Sequence, residues 1–243
     1  MAESELTYGI GAHRAVGVPL FSDIDVIYDS VARSGEENMA VDQLLLEGLA
    51  ERPMLRFYQW SEPTVSLGYF EKLSDAQRAF AADGLHYVRR WTGGGIVDHR
   101  VDQTYSLLIP KGHVVEQLRG SASYFAIHRA LAASLQEVGI ACSIVEEDLV
   151  GESRACFEKP VAFDILDAGG KKLAGAGQRR TRDGLLHQGS VQGVQEVRQW
   201  QQSFRGDLAD REHKKDIAAE LLDDVCELVA ERYGSESWLL KRP

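Results

Sequence analysis

Residues 89–99, Arg89-Arg90-Trp91-Thr92-Gly93-Gly94-Gly95-Ile96-Val97-Asp98-His99, decide how the rest of the chain is read. An alternating apolar run feeds three consecutive glycines. Such a backbone reaches positive φ and approaches a ligand closely, and its free N–H groups can line a site for a carboxylate or phosphate. Arg89 and Arg90 alternate across a strand, so at most one points into any pocket. A glycine-rich hairpin flanked by solvated arginines is the plainer alternative, and the motif alone leaves both open.

Upstream, Ser34 and Glu37 form a capping box ahead of Met39, Val41, Leu44, Leu45 and Leu49, which predicts a helix. Residues 55–60 alternate as a strand, residues 64–70 extend after Pro63, and Ser74 caps a short helix ended by Gly84. Downstream, residues 96–99 and 104–110 read as strands, and residues 123–138 as a helix stopped by Gly139. Residues 140–145 read as a strand and residues 147–160 as a polar loop. Two strands then turn at Gly169-Gly170, and a further turn at residues 182–184 leads into residues 185–191. Residues 211–233 carry an amphipathic helical pattern. Helices are spread around a run of hairpins without βαβ alternation, which is an α+β pattern.

A second motif, Lys171-Lys172-Leu173-Ala174-Gly175-Ala176-Gly177-Gln178-Arg179-Arg180, puts two lysines on one strand, one of which faces inward. The small residues after them leave room for an elongated ligand. A lysine there can polarise a thioester carbonyl, or sit solvated on a surface hairpin. Cys156 stands between Arg154 and Lys159; it reads as an activated nucleophile or as a small apolar residue. Cys142 and Cys226 read as structural. His187 orients a ligand or satisfies a backbone carbonyl.

The net charge of -10 gives no general attraction to nucleic acid or anionic membrane. Three widely spaced cysteines suggest neither a disulfide framework nor a zinc knuckle, so no metal site is expected. With no apolar run of membrane length, the expectation is a cytoplasmic, monomeric protein.

Segments 35–46, 55–70, 89–99, 104–110 and 171–191 occur in an order that resembles the biotin/lipoate A/B protein ligase superfamily. The resemblance covers roughly residues 38–191. It implies an α+β fold with a mixed, mainly antiparallel sheet flanked by helices, as in class II biotin/lipoyl-ligase catalytic domains. One catalytic domain over residues 1–243 is expected, with a core at about 34–195 and a C-terminal helical segment at about 196–235. The resemblance also implies that Arg90, Gly93, Gly94, Gly95, His99, Gly175 and His187 help form the ligand pocket. Lys172 matches the family lysine that holds the acyl carbonyl or carboxylate.

Within this superfamily, residues 156–165 look like the cysteine-dependent octanoyltransferases, whose C-F-x-x-P-S-x-Y-E pattern carries the nucleophile. Cys156 is the matching position; Val161 replaces the serine, and Phe163-Asp164 replace Tyr-Glu. A second departure is Asp98-His99-Arg100-Val101-Asp102, where the family has an aromatic before the histidine and then aspartate and glycine. The implied reaction takes an octanoyl or lipoyl group from an acyl carrier protein thioester. It ends on a lysine of a lipoyl-accepting domain, either the glycine cleavage H protein or a 2-oxoacid dehydrogenase E2, without a cofactor. Arg154, Arg179, Arg180 and Arg182 are candidate docking residues for the carrier. The alternatives are an ATP- and Mg-dependent lipoate ligase, in which Cys156 is incidental, and a non-catalytic acyl-binding partner. The short tail after residue 191 leaves little room for a ligase accessory domain.

Overall fold

The computed structural model describes residues 19–119, 121–146 and 160–241. Eleven strands are described: β1 (Phe21–Tyr28), β2 (Met54–Tyr58), β3 (Thr64–Leu67), β4 (His86–Arg89), β5 (Ile96–Asp98), β6 (Asp102–Pro110), β7 (Cys142–Ile144), β8 (Ile165–Asp167), β9 (Lys172–Arg180), β10 (Gly184–Gln192) and β11 (Ala209–Lys214). The helices are α1 (Gly35–Glu47), α2 (Leu73–Ala79), α3 (Val114–Gln117), α4 (Ala122–Glu137), α5 (Val197–Leu208), α6 (Ala219–Leu228) and α7 (Glu236–Leu239), with a π-helical turn at Val229–Tyr233. Eight strands form one sheet in the order β11-β1-β2-β6-β10-β9-β8-β7; β4, β3 and β5 form a second. In the large sheet β1 runs parallel to β11 and β2, and every other pair is antiparallel. The fold is thus the α+β class that the hairpin pattern implies, with the mixed, mainly antiparallel sheet that the family resemblance implies.

Alternation along the central strands separates two environments. On β6, Tyr105, Leu107 and Ile109 join Leu131 and Leu135 of α4 and Trp200 and Phe204 of α5 in the main core. On the other face, Leu108 and Leu186 meet Leu46 of α1. That face also holds a buried ion cluster, because α1 brings Asp42 within 2.8 Å of Arg56, which is paired with Asp29 at 2.8 Å. The α1 start is the expected capping box: Glu37 N–H donates to Ser34 Oγ at 3.2 Å, and Ser34 N–H donates to Glu37 Oε2 at 2.8 Å.

Three expectations are corrected. Ser74 lies inside α2, whose N-cap is Lys72 and whose C-cap is Phe80. Residues 211–233 are not one helix, nor is the 196–235 segment helical throughout: β11 pairs with β1 as a parallel edge strand, and α6 begins only at Ala219. β1 itself carries no sequence expectation, yet it joins β11 to the rest of the sheet.

Candidate functional site

Arg89 and Arg90 are both buried, on opposite faces. Arg89 Nη1 donates to the carbonyls of Gly68, Tyr69 and Glu71, and its Nη2 reaches Leu239 O at 2.7 Å, tying α7 to the β3 end. Arg90 turns to the glycine loop. Its Nη1 donates to Ser66 Oγ at 2.6 Å, and its Nη2 to Gly95 O at 2.7 Å and Gly93 O at 3.3 Å. The loop rests backbone-to-backbone on β9, where a Cβ on Gly177 would lie 2.3 Å from Gly93 O.

His99 is fixed on every side. Ser66 Oγ, already receiving Arg90, donates its hydroxyl to His99 Nε2 at 2.6 Å, and His99 Nδ1–H donates to Asp102 Oδ2 at 2.7 Å. Asp102 Oδ2 also accepts from Thr104 at 3.1 Å and Ser190 at 2.5 Å, and the Trp60 ring stacks on the imidazole at 4.1 Å.

Lys172 is the inward lysine of its pair, and Lys171 is exposed. Its Nζ lies 2.7 Å from Asp164 Oδ2, and the Asp164 side chain is wholly buried. Asp164 is itself held: Val161 N–H donates to Oδ2 at 2.9 Å and Tyr124 O–H to Oδ1 at 2.6 Å, while the Tyr124 oxygen accepts Ala176 N–H at 2.9 Å. Gly175 is required beside them, since a Cβ there would lie 2.4 Å from Lys172 Cε and 2.6 Å from Nζ. A cation fixed in this way can stabilise negative charge developing on a carbonyl oxygen.

Arg90, Gly95, His99, Lys172 and Gly175 line one narrow pocket of about 40 Å³, with Trp60 and Tyr58 as aromatic wall and Gln188 and Ser190 as floor. Gly93 and Gly94 shape it through the loop backbone. His187 lies elsewhere: as an odd-face residue of β10 it points under the sheet, where Gln178 Nε2 donates to its Nδ1 at 3.0 Å and Tyr105 O–H lies 3.1 Å from its Nε2. Burial pushes His187 well below its usual range, and burial brings the neighbouring His128 down to about 4. His128 Nδ1–H donates to Phe163 O at 2.7 Å, bracing the residue before Asp164.

Cys156 and Arg154 lie outside the described residues. The candidate docking residues Arg179 and Arg180 both make contacts within the chain. Arg179 stacks over Trp91 at 4.6 Å and donates to Trp91 O, whereas Arg180 donates to Leu118 O at 2.6 Å and Ser123 Oγ at 2.9 Å. Arg182 is 92% exposed. The sequence alone assigns no site role to Asp164, Tyr124, Asp102 or Trp60, although Asp164 and Asp102 lie in its two departures from the family pattern. For Asp164 a signal exists: the Gly169-Gly170 turn pairs Ile165 with Ala174, which sets Asp164 beside Gly175.

Residues 34–228 match the family model described as the lipoyl protein ligase A/B catalytic domain. Among curated relatives, octanoyltransferase LipM of Symbiobacterium thermophilum is 37% identical over 185 residues, covering 68% of this chain and 64% of that protein. LipM of Carboxydothermus hydrogenoformans is 37% identical over 171 residues, covering 67% and 62%. The match therefore spans less than two thirds of these relatives' own length. Among solved structures, lipoate-protein ligase A bound with ATP superposes with a TM-score of 0.68 at 20% identity, covering 90% of this chain and 98% of that one. A bipartite lipoate protein ligase from Thermoplasma acidophilum gives 0.68 at 17%, covering 90% and 96%. Likeness at that identity bears on the fold alone; the family-model match over most of the chain establishes that this protein belongs to the lipoyl protein ligase A/B catalytic domain family.

Proposed function

We propose that this chain transfers an octanoyl or lipoyl group from an acyl carrier protein thioester to a lysine of a lipoyl-accepting domain, by way of an acyl-Cys156 intermediate. The observation that carries the reading is Lys172, fixed by Asp164 at the pocket, in a chain 37% identical over most of its length to octanoyltransferases. Cys156 stands eight residues before Asp164, whose carboxylate holds the lysine.

In the first half-reaction the Cys156 thiolate attacks the thioester carbonyl. Lys172 donates a hydrogen bond to the oxyanion, the carbon–sulfur bond to the carrier breaks, and the carrier leaves as its thiolate. In the second, the acceptor's neutral ε-amine attacks the acyl-cysteine, an amide forms as the carbon–sulfur bond breaks, Cys156 is released as its thiolate, and the amine's proton passes through solvent to the carrier thiolate. Arg90 and His99 act on the glycine loop and the pocket wall. Asp164 and Tyr124 are positioning residues for Lys172. The acyl chain lies along Gly175-Ala176-Gly177 against Trp60, and each buried CH₂ contributes roughly 0.8 kcal/mol. No nucleotide or metal enters this route. The acceptor is a glycine cleavage H protein or a 2-oxoacid dehydrogenase E2 lipoyl domain, and the enzyme acts as a monomer in the cytoplasm. Among the described residues no helix is long and apolar enough to cross a membrane.

Intact-mass analysis after brief incubation with octanoyl-carrier thioester tests the intermediate. The wild-type protein gains one octanoyl group and Cys156→Ala gains none. Full transfer by Cys156→Ala overturns the cysteine route.

A further inference from the structure

A groove of about 800 Å³ opens beside β1, β2, β11 and α5, at the same end of the large sheet as the pocket. Tyr58 lines both cavities. On β6 the consecutive residues Gln103 and Thr104 face opposite sides of the sheet, Gln103 into the groove and Thr104 into the pocket. A flexible chain lying in the groove therefore needs only to cross the β2–β6 end to reach Lys172.

The lining of this groove is chemically specific. Trp200 and Phe204 bury one face of α5 in the core, which turns Arg198, Gln201, Gln202 and Arg205 outward. The acidic groups of the groove are already engaged: Asp29 with Arg33 at 3.1 Å and Arg56 at 2.8 Å, and Glu212 with Arg205 at 2.8 Å. The side chains of Arg198 and Lys214 are exposed and make no ion pair or hydrogen bond among the described residues. The same holds for the carboxamides of Gln59, Gln103, Gln201 and Gln202. In a chain of net charge -10, this groove combines two unmatched cations with four free amides, each of which both donates and accepts.

We infer that the groove receives the phosphopantetheine arm of the acyl-carrier thioester. Arg198 and Lys214 take its phosphodiester. The glutamine carboxamides pair with its two amide groups, and the thioester passes Tyr58 into the pocket. The inference rests on the proposed thioester reaction and adds to it a donor-binding surface on the opposite face from the acyl slot.

The test uses wild-type protein, the double variant R198E/K214E and the single variant Gln201→Ala. Two donors are compared: octanoyl-carrier, and S-octanoyl-N-acetylcysteamine, which lacks the phosphate and one amide. Charge reversal is expected to raise KM for octanoyl-carrier about tenfold and leave KM for the short thioester unchanged, with a smaller rise for Gln201→Ala. Binding of 4′-phosphopantetheine, followed by calorimetry, is expected to weaken by the same factor, and this readout needs no turnover. Unchanged KM for octanoyl-carrier with unchanged phosphopantetheine binding overturns the inference. So does an equal loss with both donors, or a rise confined to KM for the acceptor domain. If the wild-type protein transfers from neither thioester, the transferase reading falls, while the binding comparison still decides the groove.

Discussion

Lys172 Nζ sits 2.7 Å from Asp164 Oδ2, and the other oxygen of that carboxylate accepts the Tyr124 hydroxyl at 2.6 Å. The lysine is thereby fixed by a buried anion that is anchored to both α4 and the β8–β9 hairpin. Asp164→Asn keeps the shape but removes the charge that holds the ammonium. Its kcat for octanoyl transfer should fall about 100-fold with KM for the carrier little changed. Tyr124→Phe should lose about tenfold, and Asp164→Glu should recover part of the activity. Steady-state kinetics on the three variants checks this; a change confined to KM would contradict it.

Gly175→Ala is a smaller substitution with a larger expected effect than its size suggests. The new methyl would lie 2.4 Å from Lys172 Cε, so the lysine must leave its place beside Asp164. Transfer should drop at least tenfold while the melting temperature shifts by only a few degrees. Wild-type kcat in Gly175→Ala would show that the position of Lys172 does not matter.

Part of this was legible beforehand. The capping box at Ser34, the glycine loop and the hairpin through Gly169-Gly170 depend on local chemistry, and they lie where the sequence puts them. β11 was unreadable because Ala209–Lys214 is a charged edge strand whose only reason to be extended is β1, far away in sequence. His187 shows a different limit. The strand pattern puts His187 and Gln188 on opposite faces, but which face meets the pocket depends on where α1 and α4 pack. Tyr124 and Asp164 meet across 40 residues, and no local pattern announces that contact.

The buried ion cluster under the pocket should dominate stability. Asp42 Oδ1 accepts from Arg56 at 2.8 Å and Ser106 at 2.8 Å, and its Oδ2 accepts from Gln188 at 2.8 Å; Gln188 in turn accepts from Thr92 of the glycine loop. Asp42→Ala leaves a fully buried guanidinium short of a partner, at a cost of about 3–5 kcal/mol. Urea denaturation measures it; a loss under 1 kcal/mol would mean that Asp29 alone satisfies Arg56.

Acid should destabilise the fold through His128. Its imidazole titrates near 6.5 in the unfolded chain and, because of burial, near 4 in the folded protein. Between those values the unfolded chain binds a proton that the folded protein does not. Stability is therefore full above pH 6.5, falls as the pH drops and levels off below about 4, a loss of about 3 kcal/mol. His187, shifted the same way by burial, adds to the fall. His128→Asn, which can still donate to Phe163 O, should flatten the acid limb. Parallel stability curves for the two proteins between pH 7 and 4.5 would refute this origin.

The central claim, acyl transfer from a thioester in a chain of this family, is tested most directly by intact-mass spectrometry of an apo lipoyl domain. One reaction holds the protein with octanoyl-carrier thioester and no nucleotide; the other holds free octanoate or lipoate with ATP and magnesium. The account predicts octanoylation of the domain in the first reaction and none in the second. Modification only in the second would contradict it, make the protein a ligase and leave Cys156 a bystander.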